Sequence, residues 1–162
     1  MTNKEFFVKC LEQEHPIFLR VLNALPKAKL EYRPHDRSKS AGEILETILG
    51  GEKTGVQMVK KGEFNYEDKE LGLNFDEIIE AYQGSHNELK MLVKKVDEST
   101  WRDKKVKLSY QGQFLYDQPL GDFMWMMLFD QVHHRGQLSS YIRPMGGKVP
   151  SIYGPSGDDP GK

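Results

Sequence analysis

The chain has 162 residues, a length typical of one domain. Hydrophobic residues make up 38% of it and charged residues 29%, which is polar for a globular protein but too apolar for a disordered one. With 23 Lys and Arg against 24 Asp and Glu, the net charge of −1 argues against a nucleic-acid or anionic-membrane surface. The longest wholly apolar run, residues 123–129, is too short to cross a membrane. We therefore predict one domain with neither nucleic-acid nor membrane partners.

The single cysteine bears on the cellular compartment. Cys10 has no partner for an internal disulfide, which favours a reducing environment. The N-terminal residues MTNKEFF lack the apolar segment of a signal peptide. We expect a cytoplasmic protein.

Three helices are predicted in the first two thirds of the chain. Apolar residues three and four apart predict a helix over residues 3–25, in which Glu14 interrupts the apolar stripe and Pro16 predicts a kink. Ser40 and Glu43 form the pattern of a capping box at the start of a second helix, residues 41–60. The polar segment KKGEFNYEDKELG is interpreted as a loop. Asn74 and Glu77, three positions apart, give the next cap signal, before a third helix that runs to about Val96.

The last third of the chain begins with a different period. Apolar residues alternate between Trp101 and Pro119 around Gln111-Gly112, which predicts a short β-hairpin. A fourth helix follows from about Pro119 to Arg143, and its apolar residues on nearly all sides predict the most buried helix. The predicted fold is all-α: a four-helix bundle with long connections and a hairpin excursion, residues 1–150. Residues 151–162 are predicted to be an irregular tail.

A polar stripe on the fourth helix is the strongest candidate for chemistry. It consists of Asp130, His134, Gln137 and Tyr141, spaced four, three and four residues apart on one face. A carboxylate and an imidazole at i and i+4 are suited to bind one cation, and helical bundles commonly build metal sites in this way. Two other interpretations remain open. Asp130 accepts a hydrogen bond that fixes the tautomer of His134 without a metal, or both side chains face solvent along a groove.

The other chemically relevant side chains have structural interpretations. His15 and His35 are interpreted as solvated histidines, and His86 as a hydrogen-bonded core residue on the third helix. His133 points about 100° away from His134 around the helix. Glu14 and Glu52 interrupt apolar stripes, either as groups that support a site or as stripe edges, and Cys10 is interpreted as a small core residue. No catalytic residue is assigned.

Several motifs resemble a known family. The C-terminal run HHRGQLSSYIRPMGGKVPSIYGPSGD and the connector LPKAKLEYRP followed by SKSAGEIL resemble DinB-like, or damage-inducible, bacterial proteins over nearly the whole chain. The resemblance implies a four-helix bundle that is commonly a homodimer. It also implies a divalent cation such as nickel or zinc, held by one histidine of the second helix and two of the last. Related members are thiol-dependent S-transferases and isomerases.

The resemblance places the three histidine positions on Thr47, Asp130 and His134. Only His134 is a histidine here, and a threonine hydroxyl is a poor ligand for zinc or nickel. The implied metal site is therefore incomplete unless Glu43, Glu14 or His133 contributes a ligand. Arg135, Gly136, Gln137 and Tyr141 match the family pattern.

Three functional hypotheses follow. The first is a protein with a degraded or remodelled metal site that binds a small molecule or serves a stress response without metal. The second is a divalent-metal-dependent S-transferase or hydrolase that uses Asp130 and His134 with a low-molecular-weight thiol or water. The third is metal-free catalysis with His134 as general base, for which the sequence places no nucleophile. The sequence alone does not decide whether the protein is an enzyme.

Overall fold

The structure, a computed structural model, describes residues 1–67 and 71–161. Four long helices form a bundle, and a short helix and three short strands are inserted into its connections. The helices are α1 (Asn3–Asn23), α2 (Ala41–Lys61), α3 (Phe75–Lys95), α4 (Glu98–Asp103) and α5 (Leu120–Ile142). The strands are β1 (Glu63–Tyr66), β2 (Lys105–Tyr110) and β3 (Gln113–Pro119). The predicted helical fold with a β excursion before the last helix is confirmed.

Reciprocal capping fixes where three of the long helices begin. The Ser40 hydroxyl accepts from the Glu43 amide at 3.2 Å, and the Glu43 carboxylate accepts from the Ser40 amide at 2.5 Å. Asn74 and Glu77 make the same pair of bonds at the start of α3, so both predicted capping boxes are confirmed. Thr2 and Glu5 form a third box at α1. Each box satisfies amide groups that the first helical turn leaves without partners.

The sheet both confirms and corrects the sequence prediction. Strands β2 and β3 form the predicted hairpin, and Gln111 and Gly112 occupy its two-residue turn with φ values of 47° and 79°. The segment predicted as a polar loop instead contains β1, which pairs parallel to β2 from Glu63 opposite Lys107 to Tyr66 opposite Tyr110. The loop prediction was wrong there because this pairing joins residues over forty positions apart. Residues 68–70 of that loop, like Lys162 of the tail, lie outside the described residues.

The apolar core consists of two clusters stacked along the bundle. One contains Phe18, Ile48, Tyr82 and Leu138, and the other contains Phe7, Met58, Leu89 and Met124. As predicted, α5 contributes more buried residues than any other described helix. It is not buried on all sides, since Phe129 is 64% exposed.

Residues 143–161 fold back over the bundle without forming a helix or strand. Arg143 donates to Asp158 at 2.9 Å, and Asp158 accepts from the amide of Val149 at 3.0 Å. This segment covers α1 and α5 near Arg135. The predicted domain boundary at residue 150 stays a prediction. Among the described residues, no helix has the length and apolar character that a membrane span requires.

Candidate functional site

The predicted polar face of α5 forms a connected set of contacts. His134 Nε2 lies 3.5 Å from Asp130 Oδ2, and His134 Nδ1 lies 2.8 Å from Gln137 Oε1. The Asp130 side chain is 58% exposed and that of His134 is 14% exposed. Asp130 is therefore largely exposed, and His134 is the more buried member of the pair.

The two side chains shift each other's titration. The hydrogen bond with Asp130 raises the pKa of His134, and the bond with Gln137 contributes in the same direction. The hydrogen bond from His134 lowers the pKa of Asp130. A carbonyl oxygen only accepts, so Gln137 fixes a proton on Nδ1, and Asp130 favours a second proton on Nε2. The arrangement favours an imidazolium–carboxylate pair.

Lys39 is a member of this site that the sequence analysis missed. It directly precedes Ser40, the N-cap of α2, and its Nζ donates to Thr47 Oγ1 at 2.8 Å. The Thr47 hydroxyl donates in turn to the Glu43 carbonyl at 2.8 Å. The charge of Lys39 also acts on Asp130 and His134 and lowers the pKa of both, as a smaller contribution. We call Lys39, Thr47, Asp130 and His134 the α2–α5 site.

The donor set of this site does not fit a zinc or nickel ion. Thr47 offers a hydroxyl that already accepts from an ammonium group. Both ring nitrogens of His134 face acceptors, whereas a metal ligand must present an unprotonated nitrogen. Among residues 1–67 and 71–161, no three His, Cys, Asp or Glu side chains are arranged to hold a metal ion. Glu43 is engaged with Ser40 and Arg33, and Glu14 with Arg135.

A second group of polar side chains crosses the bundle between the two apolar clusters. It draws on all four long helices and is largely buried. We call it the polar layer: Glu14 and His15 from α1, Glu52 from α2, His86 from α3, and Gln131 and Arg135 from α5. Gly51 leaves room for Gln131, because a Cβ there would lie 1.6 Å from the Gln131 amide nitrogen.

The histidines of the polar layer form a stack. His86 is 2% exposed, and its Nδ1 lies 3.2 Å from Glu52 Oε1. The prediction of a hydrogen-bonded core histidine is confirmed. His15 stacks on His86 with ring centroids 3.7 Å apart and planes inclined by 12°. The prediction that His15 is a solvated surface histidine was wrong, because α3 packs directly over its ring.

Arg135 is enclosed on the other side of the polar layer. Its side chain is 2% exposed, donates to the Glu14 carboxylate, and donates to the Tyr153 hydroxyl at 2.6 Å. The guanidinium lies between two rings, 4.7 Å from the centroid of Phe18 and 5.1 Å from that of Tyr153. Glu14 thus interrupts the apolar stripe because it pairs with a buried cation.

The remaining candidates belong to neither group, although the ring centroid of His133 lies 5.3 Å from that of His134. His133 is exposed on α5, and His35 accepts from the Arg37 amide at 3.0 Å in the connector before α2. Cys10 is half-buried, and burial raises the pKa of its thiol, which makes it a poor nucleophile. Two open surface clefts of about 400 and 500 Å³ lie beside the sheet around Asn65. They do not touch the α2–α5 site.

Comparison with known proteins places the chain in a family. A solved structure of a DinB-like protein, YjoA from Bacillus subtilis, matches with a TM-score of 0.67 at 16% identity. The match covers 86% of this chain and 92% of that one, which shows a shared fold. No curated protein sequence matches the chain. A model of the DinB family matches residues 1–160, and the chain belongs to the DinB family.

Proposed function

We propose that this protein binds a small anionic molecule at the α2–α5 site without a resident metal ion. The observation that carries the proposal is the Lys39 ammonium, which bonds to Thr47 Oγ1 at 2.8 Å. Thr47 is one of the three positions at which the resemblance implies a metal ligand. A fixed positive charge at such a position repels a divalent cation and attracts an anion.

The other groups of the site favour the same class of ligand. His134 is held between Asp130 and Gln137 in an arrangement that favours its protonated form. Lys39 and protonated His134 together carry two positive charges against one negative charge on Asp130. The ammonium of Lys39 and the hydroxyl of Thr47 can exchange their present hydrogen bonds for bonds to a carboxylate, phosphate or thiolate group of the ligand.

The connector before α2 holds Lys39 in place. The Tyr141 hydroxyl donates to the Lys39 carbonyl at 3.2 Å, so α5 positions the backbone of this residue directly. Ser40, the next residue, caps α2 and is itself buried. The ligand would therefore meet an ammonium whose backbone is fixed, which lowers the entropy cost of binding.

Binding is tested with the full-length protein and three probes: acetate, inorganic phosphate and glutathione. The ring resonances of His134 are followed by NMR during each titration. We expect at least one probe to shift these resonances. Lys39→Met should weaken the affinity for that probe by about tenfold or more, because it removes a positive charge from the site. Lys9→Met removes an exposed lysine of α1 and serves as the matched control, with unchanged affinity expected.

Two results contradict the proposal. One is the absence of any shift at His134 with all three probes. The other is a stoichiometric zinc or nickel ion that survives dialysis against a chelator and is lost in Asp130→Ala or His134→Ala. That second result favours instead a divalent-metal-dependent thiol S-transferase or hydrolase built on the same two residues.

A homodimer is part of the same proposal. Helices α1 and α5 share an aromatic surface in which the Trp125 ring lies 5.6 Å from Phe6 and 5.7 Å from Phe129. Phe6 and Phe129 are exposed. Exposed contiguous aromatic surface is typical of protein interfaces, and one patch pairs with its own copy across a two-fold axis.

We expect Phe129→Glu to convert the dimer to a monomer, because two carboxylates would then be desolvated at the two-fold interface. Light scattering coupled to size-exclusion chromatography measures the mass. Met91→Glu, at a similarly exposed apolar residue of α3, is the control and should leave the mass unchanged. A monomeric wild-type protein at high micromolar concentration, or a Phe129→Glu variant that stays dimeric, contradicts this interface.

A further inference from the structure

The histidine stack of the polar layer joins α1 to α3 through two imidazole rings in direct contact. The ring centroids of His15 and His86 are 3.7 Å apart. The ring of Tyr82, which lies one turn before His86 on α3, is 5.5 Å from that of His15. Two neutral imidazoles pack favourably at this separation. Two imidazolium rings repel each other strongly, because their like charges are nearly in contact in a partly desolvated place.

None of the carboxylates around His15 forms a hydrogen bond or ion pair with it in the described part of the chain. The charged and titratable groups around it are Glu12 and Glu14 on α1, Glu52 on α2, Tyr82, His86 and Lys90 on α3, and Arg135 on α5. Each carboxylate has another partner: Glu12 binds Lys94 at 2.6 Å, Glu14 binds Arg135, and Glu52 contacts His86 through Oε1. The second oxygen of Glu52 is buried without a hydrogen-bond partner in the described part of the chain. His15 Nδ1 is buried and has no hydrogen-bond partner in the described part of the chain.

Burial accordingly lowers the pKa of His15 to about 4, with His86 and Lys90 acting in the same direction. The unfolded or released residue has its ordinary pKa of about 6.5. A histidine with a lowered folded pKa stabilises the packed form above the ordinary pKa. That contribution is lost as the pH falls from about 6.5 to about 4, since the released form binds the additional proton.

Helix α1 is weakened immediately after His15. Pro16 has no amide hydrogen, so the carbonyl of residue 12 loses its usual partner within the helix. The segment before this point, residues 3–15, packs through Phe7 and Leu11 against the second apolar cluster. Its polar attachments to α3 and α5 include the histidine stack, the Glu12–Lys94 pair and the Glu14–Arg135 pair. Nearer the start of α1, Asn3 accepts from Trp125 of α5, and Lys4 donates to the Val96 carbonyl at the end of α3.

We propose that the His15–His86 stack is an acid-sensitive switch, whose protonation releases residues 3–15 of α1 from α3 and α5 with Pro16 as the hinge. The rest of the bundle stays folded, because α2 packs on α3 and α5 through the first apolar cluster, which does not include residues 3–15. Release exposes Phe7, Leu11 and the inner face of α5 to solvent.

The emission of the two tryptophans reports whether residues 3–15 are packed against the bundle, because both indole rings contact this segment. The indole Nε1 of Trp101 and that of Trp125 both donate to Asn3 Oδ1, at 2.9 and 3.1 Å. Phe7 lies 5.1 Å from the Trp101 ring. In a Trp125→Phe background, buried Trp101 is the only remaining tryptophan, so dissociation of a dimer through the aromatic surface does not dominate the signal.

The test is an acid titration of Trp101 emission, run in parallel with far-ultraviolet circular dichroism. We expect the emission to shift to the red between about pH 6.5 and 4 while most of the helical signal remains. In the same background, His15→Phe keeps a stacked ring without a titrating group and should move the midpoint down by at least about one pH unit. His35→Phe, at an exposed histidine, should keep the parent curve.

Hydrogen exchange on the wild-type protein gives a second measurement that depends on no variant. After correction for intrinsic rates, residues 3–15 should lose protection in the same pH interval while α2 and α3 retain it. Identical titration curves for His15→Phe and its parent overturn the proposal. A red shift of the Trp101 emission that coincides with loss of the helical signal and of protection in all helices also overturns it, because acid then unfolds the bundle as a whole.

Discussion

Replacing Arg135 by alanine is expected to lower the free energy of unfolding by about 3–5 kcal/mol. The substitution empties the space between Phe18 and Tyr153 and leaves the Glu14 carboxylate with Tyr153 as its remaining partner. A buried ion pair that loses one member keeps the desolvation cost of the other, and this makes the loss large. Urea unfolding followed by circular dichroism measures it.

Arg143 provides the matched control for this prediction. It lies at the end of the same helix and also pairs with a carboxylate, Asp158 at 2.9 Å, but its side chain is 61% exposed. Arg143→Ala is expected to cost less than about 1 kcal/mol, because solvent already screens that pair. The double substitution Glu14→Gln with Arg135→Met should recover part of the loss, since it removes both charges and keeps volume. Equal losses for Arg135→Ala and Arg143→Ala would show that burial of Arg135 contributes little.

Restoring the three histidines is expected to create a metal site only when Lys39 is removed as well. Thr47→His with Asp130→His supplies three imidazoles together with His134, a donor set suited to zinc or nickel. Lys39 stays beside position 47 and repels the incoming cation. We expect Lys39→Ala in this background to tighten zinc binding by about tenfold or more, measured by competition with a chromogenic chelator.

The control for this experiment is Lys61→Ala in the same two-histidine background. Lys61 lies at the opposite end of α2 from the site, so its removal should leave zinc affinity unchanged. Equal affinities with and without Lys39 would show that its ammonium does not occupy the position of a metal. Tight zinc binding by the unsubstituted chain would contradict the metal-free proposal directly.

The sequence predicted the features that depend on neighbours along the chain. The capping boxes at Ser40 and Asn74 were visible because a box needs only two residues three positions apart. The hairpin turn at Gln111-Gly112 was visible for a similar reason, since a tight turn has its own local residue preference. The face shared by Asp130, His134 and Gln137 follows from helical periodicity alone.

Strand β1 was missed because its partner is distant in the sequence. Glu63–Tyr66 is short and mostly exposed, so it lacks the alternation that marks a strand, and its pairing with β2 decides its structure. Helix α4 was missed for a different reason. It has six residues and buries only Trp101, which is too little for a periodic signal.

The candidate site was also predicted only in part. The sequence identified Asp130 and His134 on one helix and, through the family resemblance, Thr47 on another. It did not identify Lys39, which precedes α2, donates to Thr47 and accepts from Tyr141 of α5 at its backbone carbonyl. One local signal for the polar layer was present: Glu14 and Glu52 each interrupt an apolar stripe. Their partners were not visible.

By itself, the sequence determined the family, the four long helices, their starting residues and the chemical groups available on each helix face. Those features depend on periodicity, capping and motif spacing, all of which act over a few residues. Only the tertiary structure decided which of those groups meet. The His15–His86 stack joins two helices, and the enclosure of Arg135 joins α5 to α1 and the C-terminal segment. The Lys39–Thr47 contact joins the connector to α2. Packing sets such distances, and no local pattern encodes them.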